Sequence, residues 1–520
     1  MAHHPGDDAY TFDLVDESEQ SEALAEPVVA PSGSVTRWMR RYHKVLVPVA
    51  AAGVAAAIAA VGAGEARERD RREAMSRAPG GMVSLETLPE LRWRIDDVLE
   101  PVAVLDGLLV TRDLDGLDGV DPSTGEVRWS LAAGATISCW DTTSWFSRLP
   151  DVDRLVCLDE RDVLVVRPGG ALEATRPLTD RSGSPRPGPD GSLLRVQRVG
   201  PGVPAPQVTC DGSGTCRLPT GGELRGRDVV VRLEDAATGA LRWEHTVAFE
   251  APVDHGGTIH GCSILEGPSA SRALLVHDDL EVVVRQSLVR ITGCGIDAAF
   301  TSDGQELDQP FGSYVDEVYG THLRVYPGWD EAESSPRAEI LAPDGSVLHK
   351  IPGYPVFPLA TDRSSDVMFT TTIEGLDAHR PDGTVLPLST ATNTQVLIVA
   401  DGVVIFEEQE LRTVRAVDLT SGENLWTWAV PHEVGLTDGS AVVLAGGTAL
   451  SAFSDGRIAL VVYARGATVG NASGYAGFGI GVRTGEVLWS GDLGTDVPFA
   501  AAGHLVTSGN ENSVGLRGLG

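Results

Sequence analysis

One short phrase occurs four times in this chain and limits what the chain can fold into. Each copy has a hydroxyl residue, then a Gly, then a Trp four places after the Gly; the copies are Thr124–Trp129, Thr238–Trp243, Ser421–Trp426 and Thr484–Trp489. In the first three copies an Asp precedes the hydroxyl residue by three places. An Asp carboxylate bonds backbone N–H groups ahead of it, and Gly takes a positive φ at no steric cost. The phrase therefore predicts a strand, a tight turn and a second strand, in a fold built from repeated units.

Four weaker turn motifs lie between these copies. Together the eight turns are centred on Gly125, Gly169, Gly239, Gly304, Gly345, Gly383, Gly422 and Gly485. Four of the seven intervals lie near the length of about 40 residues that is typical of a propeller blade. The three longer intervals predict insertions, which include the segments Arg181–Ser192 and Cys210–Cys216.

The pattern of residues from 86 to 520 predicts an all-β domain. Short runs rich in Val, Leu and Ile, such as "DVVVRLED" and "RIALVVYAR", are separated by Gly, Asp or Pro. This spacing is typical of a sandwich, a barrel or a propeller, and the repeated phrase favours the propeller. We expect the first strand after residue 92 to close the ring with the last strand.

The phrase D-x-x-[ST]-G-x-x-x-W resembles the tryptophan-docking repeat of the PQQ-like β-propellers. This family includes quinoprotein alcohol dehydrogenases and the outer-membrane assembly factor BamB, and the resemblance covers about residues 86–520. It implies seven or eight four-stranded blades, of which eight is the favoured number. It also implies that the phrase residues dock one blade against the next, which would be the role of Trp129, Trp243, Trp426 and Trp489 together with Gly125, Gly239, Gly422 and Gly485.

The same resemblance leaves the function open. Quinoprotein dehydrogenases hold PQQ beneath a disulfide between adjacent cysteines, and this chain has no adjacent Cys pair. Their catalytic Asp and calcium-binding Glu and Asn have no matching context here. We therefore predict no catalytic residue and no cofactor, and a propeller that binds a protein or a cell-wall ligand. A divergent PQQ-dependent dehydrogenase, or another propeller enzyme, is the alternative.

A membrane anchor is predicted before the propeller. The segment Val45–Gly64 has 20 residues and no charge, which is about the span of a bilayer core. We assign residues 44–64 to a transmembrane helix and residues 65–85 to a charged stalk. Residues 1–43 form an acidic, disordered cytoplasmic tail with a basic end beside the membrane. A cleaved signal is the alternative to the anchor, and a sensor that signals through the tail is an alternative function.

The cysteines indicate the side of the membrane on which the propeller lies. All six cysteines follow the predicted anchor, and six cysteines allow 15 pairings. Nearness in sequence suggests the pairs Cys139–Cys157, Cys210–Cys216 and Cys262–Cys294. Disulfides form in oxidising compartments, so we expect a single-pass protein with a cytoplasmic N-terminus and an extracytoplasmic propeller. The net charge of -32 argues against a nucleic-acid partner.

Two acidic or histidine-containing stretches were considered as metal sites. Asp113, Asp115 and Asp118 have the spacing of a loose calcium loop, although a solvated hairpin explains them as well. Asp254, His255, His260 and Cys262 are groups that bind zinc, but their spacing matches no zinc motif. We predict no metal site. Asn471–Ser473 fits a glycosylation sequon.

Overall fold

The fold was analysed in a computed structural model. The structure describes residues 68–520 except 72, 97, 99, 135, 140–148, 179–182, 205–206, 211–215, 220–222, 253–261, 270–271, 277–278, 311–312, 319, 327–335, 363–364, 436–440, 467–473 and 510–514. The predicted tail and the predicted membrane segment Val45–Gly64 lie outside these residues. In the described part of the chain, no helix is long and apolar enough to cross a membrane. The described helical residues are 68–71 and 73–77.

The first half of the described chain contains fifteen strands. They are β1 (Leu91–Asp96), β2 (Glu100–Leu105), β3 (Leu108–Arg112), β4 (Gly116–Val120), β5 (Val127–Ala132), β6 (Asp151–Val152), β7 (Leu155–Leu158), β8 (Asp162–Val166), β9 (Leu172–Pro177), β10 (Arg186–Pro187), β11 (Ser192–Arg198), β12 (Gln207–Cys210), β13 (Cys216–Arg217), β14 (Val229–Asp235) and β15 (Leu241–Val247). A single 3-10 turn (Pro168–Gly170) lies between β8 and β9.

The strands of the second half continue in the same manner. They are β16 (Ser263–Ser269), β17 (Arg272–Val276), β18 (Leu280–Val284), β19 (Leu288–Gly293), β20 (Ile296–Thr301), β21 (Glu306–Leu307), β22 (Tyr314–Val318), β23 (Thr321–Tyr326), β24 (Arg337–Leu341), β25 (Val347–Pro352), β26 (Tyr354–Val356), β27 (Ala360–Thr361), β28 (Met368–Thr372), β29 (Gly375–His379), β30 (Val385–Ser389), β31 (Thr394–Ala400), β32 (Val403–Glu408), β33 (Thr413–Asp418), β34 (Asn424–Ala429), β35 (Glu433–Gly435), β36 (Ala441–Ser454), β37 (Ile458–Arg465), β38 (Gly474–Gly481), β39 (Val487–Gly494), β40 (Val497–Ala501), β41 (His504–Ser508) and β42 (Gly515–Leu519).

These strands build a β-propeller of nine blades, each a sheet that is mainly antiparallel. We number the blades in chain order: blade 1 is β2–β5, blade 2 is β7–β9, blade 3 is β10, β11, β14 and β15, blade 4 is β18–β21, blade 5 is β22–β25, blade 6 is β26 and β28–β30, blade 7 is β31–β34, blade 8 is β36–β39, and blade 9 is β40–β42 with β1. Blade 9 closes the ring because β1 pairs with β42, as the sequence predicted.

The order of the blades can be followed from one docking contact that repeats around the ring. The Trp243 indole of blade 3 lies against Gly304, in the last turn of blade 4, and donates to the Ser302 carbonyl at 3.1 Å. Trp426 of blade 7 makes the same contact with Gly485 of blade 8 and donates to the Val482 carbonyl at 2.8 Å. Any side chain at these glycines would collide with the indole, and their positive φ also favours Gly.

Other residues take the docking position at other junctions. Trp129 of blade 1 lies against Gly170 of blade 2, and its buried indole nitrogen has no hydrogen-bond partner among the described residues. Arg176 of blade 2 covers Gly239 of blade 3 and donates to the Ala236 carbonyl at 3.2 Å. Leucines serve two further junctions: Leu307 faces Gly345, and Leu386 faces Gly422.

The prediction of eight blades is wrong, and the closure of the ring explains the error. All eight predicted turn glycines have a positive φ between 70° and 90°. Blade 9 has no such turn, because its outer strands β42 and β1 are the last and the first strands of the ring. Trp489 of blade 8 therefore docks on the N-terminal segment and donates to the Leu85 carbonyl at 2.9 Å. Trp93 of β1 completes the ring by covering Gly125 of blade 1.

Candidate binding site on the connection face

The propeller has two faces that differ in the chain segments they carry. In a blade of four antiparallel strands, the first and third turns lie at one end, which we call the turn face. The second turn and the link to the next blade lie at the other end, which we call the connection face. Contacts between turns agree with this division: Arg483, in the third turn of blade 8, bonds Asp401, in the first turn of blade 7, at 2.7 Å.

The turn face is covered by the chain's own N-terminal segment. The Ser454 amide donates to the Gly80 carbonyl at 3.0 Å, and the Val83 amide donates to the Gly503 carbonyl at 2.8 Å. The Leu85 amide donates to the buried Asp455 carboxylate at 2.9 Å, and Leu85 itself is 1% exposed. Residues 78–85 thus occupy the inner part of the turn face beside blades 8 and 9.

Two short strands further narrow the central opening on the turn face. β6 pairs in parallel with the end of β2, and β27 pairs in parallel with β31. Each pairs with the innermost strand of a blade, so each lies on the channel side of that blade. Gly80 contacts Ala360 of β27, which joins the N-terminal segment to this inner layer.

The connection face carries a tenth sheet outside the ring. Its strand order is β13-β12-β17-β16. β12 and β13 come from the second turn of blade 3, whereas β16 and β17 come from the link between blades 3 and 4. Two insertions that are distant in sequence therefore pair into one structure, which we call the accessory sheet.

Disulfides and a small core hold the accessory sheet. Cys210–Cys216 closes the β12–β13 hairpin, and Cys262–Cys294 ties the start of β16 to the second turn of blade 4. Val208, Cys216, Leu224 and Cys294 form its buried core. The third disulfide joins Cys139, in the link between blades 1 and 2, to Cys157 in β7 of blade 2. These are the three pairs that nearness in sequence suggested, and they agree with an extracytoplasmic location.

A cleft of about 330 Å³ lies between blades 3 and 4 on the connection face. It is lined by the ends of β10, β11 and β18, and three of its side chains are guanidinium groups: Arg186, Arg198 and Arg227. Asp279 is its one carboxylate among the described residues. Glu281 is exposed and alternates with Leu280 and Val282 along β18, which places it on the opposite side of the strand from the cleft.

Backbone contacts position the three arginines. Arg198 donates to the Arg227 carbonyl at 2.9 Å, and Arg186 donates to the Val282 carbonyl across the blade junction at 3.4 Å. Ser184, at the rim of the cleft, has a positive φ of 42°, which is uncommon for a residue with a Cβ. The sequence showed no sign of this cleft, because the arginines belong to three different segments.

A second polar group lies on the same face, at the junction of blades 4, 5 and 6. The Tyr314 and Tyr354 hydroxyls are 2.6 Å apart, and Gln309 donates to the Asp297 carboxylate. The Arg290 guanidinium lies over the Tyr314 ring, 5.4 Å from its centroid. Although the Asp297 side chain reaches solvent, its packed surroundings raise its pKa to about 6 because they disfavour the charged carboxylate.

The calcium candidates Asp113, Asp115 and Asp118 are described by the structure and do not form a metal site there. The Asp113 carboxylate accepts from the Asp115 and Gly116 amides, so it stabilises the turn between β3 and β4. No group of three or more His, Cys, Asp or Glu that could hold a metal ion is found in the described ranges. Asp254, His255, His260 and Asn471–Ser473 lie outside them, and Cys262 is in a disulfide.

The donors that PQQ requires in the quinoprotein dehydrogenases are also not brought together. The six cysteines form three disulfides whose partners are 18, 6 and 32 residues apart, so none joins adjacent residues. The described part of the chain offers no carboxylate cluster for the accompanying calcium ion. The residues present do not fit this cofactor, and we derive no reaction step through it.

Comparisons with solved structures show weak similarity to several proteins. The C-terminal WD40 domain of Sif2 is 10% identical, covers 84% of this chain and 99% of its own, and has a TM-score of 0.33. The quinohemoprotein alcohol dehydrogenase of Comamonas testosteroni is 9% identical, with coverage of 83% and 76% and a TM-score of 0.32. Apo AztD of Citrobacter koseri is 16% identical, with coverage of 68% and 88% and a TM-score of 0.30.

No protein-family model matches the sequence, and no curated protein matches it. The identities and TM-scores above are low. The propeller fold therefore rests on the chain's own ring of sheets, and no activity is carried over from these proteins.

Proposed function

We propose that this protein is a non-enzymatic binding propeller, tethered to a membrane by residues 44–64, that presents its connection face to a ligand or protein outside the cytoplasm. The accessory sheet is the observation that carries this proposal. Two insertions far apart in sequence pair on one face and are held by two disulfides. Ring closure does not require these insertions, and loops on a rigid scaffold commonly carry binding function.

The N-terminal segment supports the choice of the connection face. Residues 78–85 occupy part of the turn face, whereas the connection face carries the accessory sheet. The three disulfides support an extracytoplasmic propeller, and a cell-wall component or a protein is the ligand that such a location would offer.

The proposal is tested by site-specific photocrosslinking of the full chain in its own membrane. A photoreactive residue replaces Thr209 or Arg217, both exposed on the accessory sheet, and Thr420 or Glu486 on the turn face serves as the matched control. We expect discrete crosslinked products from the first pair and not from the second. Products from the turn face alone, or from neither face, would contradict the proposal.

The non-enzymatic part is tested separately with the purified full chain. PQQ and Ca²⁺ are added in a calorimeter, and absorbance is read in parallel. We expect neither binding heat nor a bound quinone spectrum. Stoichiometric binding with that spectrum would make the protein a redox enzyme and overturn this part of the proposal.

A further inference from the structure

The described residues that line the cleft between blades 3 and 4 have a net charge opposite in sign to that of the chain. The chain has a net charge of -32, yet the described lining of the cleft has three guanidinium groups and one carboxylate. Arginines placed close together repel one another, and an anion between them relieves that repulsion. The local excess of positive charge therefore favours an anionic ligand.

The shape and chemistry of the arginines narrow the class of anion. A guanidinium group is planar and offers parallel N–H donors that match carboxylate, phosphate and sulfate oxygens in pairs. The Arg186 side chain is only partly exposed, and its buried Nε has no hydrogen-bond partner among the described residues. Arg186 itself lines the cleft, so its guanidinium group is one of the three cationic groups there.

The size of the cleft limits the ligand further. A volume of about 330 Å³ is at the lower end of the range for small-molecule sites. Leu280, Val282 and Val196 supply an apolar wall beside the arginines, which suits a ligand with a nonpolar or sugar-like body and one charged group.

We propose that this cleft binds a small ligand bearing a carboxylate, phosphate or sulfate group. The proposal rests on the proposed function, because it names the ligand class for the connection face. The accessory sheet lies beside the cleft, since Arg198 and Arg227 flank the insertion that carries β12 and β13. A ligand in the cleft would therefore lie next to the surface that we expect to meet a partner.

The proposal is tested by calorimetry on the full chain in detergent. Inorganic phosphate, sulfate and glucuronate are the probes, and glucose is the uncharged control. We expect saturable binding of at least one oxyanion and none of glucose. Because each substitution removes a charged hydrogen-bond donor from the cleft, Arg186→Gln, Arg198→Gln and Arg227→Gln should each weaken binding about ten-fold or more.

Arg225→Gln is the matched control variant. Arg225 lies in the same insertion, its side chain is 74% exposed, and it pairs with exposed Glu223 outside the cleft. This variant should bind the probe as the unaltered chain does. No binding of any oxyanion, or binding that all three cleft variants retain, would overturn the proposal.

A measurement on the unaltered chain guards against variants that fail to fold. Phenylglyoxal modifies accessible arginines, and mass spectrometry reads each site. The bound probe should protect at least one cleft arginine and leave Arg225 unprotected, whereas equal modification with and without the probe would count against the cleft. Crosslinking from Thr209 separates the two proposals: it would persist if only the cleft assignment failed, and it would be absent if the connection face bound nothing.

Discussion

At the scale of single residues, most junctions between blades have one side chain that covers a turn glycine of the next blade. At Trp243 and Trp426 the indole both covers the glycine and donates to a carbonyl, whereas Trp129 covers its glycine without such a bond among the described residues. Arg176 achieves the same coverage with a guanidinium group, and Leu386 covers its glycine without a hydrogen bond. The shared requirement is a large side chain above a turn that has no Cβ.

Replacing Trp426 by Ala should lower the stability of the protein strongly. Trp426 is 8% exposed, so its removal leaves a cavity between blades 7 and 8 and an unpaired Val482 carbonyl. A cost of about 3–5 kcal/mol is typical for such a change. Thermal unfolding followed by circular dichroism measures it, with Leu488→Ala as the control because Leu488 is 46% exposed. Equal melting temperatures for the two variants would refute this docking role.

Asp297 should make stability depend on pH. Its pKa in the fold is about 6, above its ordinary value of 3.8, so the folded state holds the proton longer than the unfolded state. The contribution of Asp297 to the free energy of unfolding is therefore greatest below about pH 4, and it is lost as the pH rises through 6. Asp297→Asn should remove that fall. Melting temperatures at pH 4 and pH 7 compare the two proteins, and an undiminished difference in the variant would contradict the assignment.

At the scale of elements, the N-terminal segment takes the place of a missing turn. Seven blades end in a turn whose glycine is covered by a side chain of the preceding blade, but blade 9 has no such turn, because its outer strands β42 and β1 are the last and first strands of the ring. Leu85 supplies the carbonyl that Trp489 needs, and its amide bonds Asp455. Ring closure is thus achieved by β1 together with the segment that precedes it.

Leu85→Ala should weaken this closure. Leu85 lies in a buried cluster with Met82, Phe453 and Leu460, and such truncations cost about 2–5 kcal/mol. Leu91→Ala is the control, since Leu91 is 59% exposed on β1. Hydrogen exchange should show faster opening of β1 and β42 in the first variant only. If β1 and β42 exchange alike in both, the segment has no part in closure.

At the scale of the whole molecule, the ring and the accessory sheet have different sources of stability. The ring is stabilised by large clusters of buried apolar side chains between neighbouring blades. One such cluster joins blades 7 and 8. Among the side chains that the structure describes, the buried cluster at the accessory sheet has four residues, and two disulfides hold the sheet. A unit this small generally depends on its cross-links.

Replacing Cys210, Cys216, Cys262 and Cys294 by Ser should therefore release the accessory sheet and spare the ring. Amide hydrogens of β12, β13, β16 and β17 should lose protection from exchange, whereas those of β31–β33 keep it. Cys139–Cys157 stays intact as an internal control, and removing it instead should cost about 3 kcal/mol of ring stability, because it closes a loop of 18 residues. If all strands of the four-cysteine variant lost protection equally, the accessory sheet and the ring would form one cooperative unit, which would contradict this prediction.

The sequence by itself determined the local features of this protein. The Asp–hydroxyl–Gly–Trp phrase predicted turns whose glycines have positive φ, and the strand pattern predicted an all-β propeller closed by its first strand. Local hydrogen bonds and backbone conformation decide these features, so neighbouring residues are enough to predict them. Three disulfides were also foreseeable, because each joins cysteines that are near each other in the chain.

Only the tertiary structure decided the number of blades, the accessory sheet and the arginine cleft. The ninth blade lacks the last turn of the other blades, because its outer strands β42 and β1 are the last and first strands of the ring, so the number of such turns is eight. β12 pairs with β17 across more than 60 residues, and Arg186 meets Val282 across 96. Such contacts are set by how the ring brings separate insertions to one face, and no pattern of neighbouring residues contains that information.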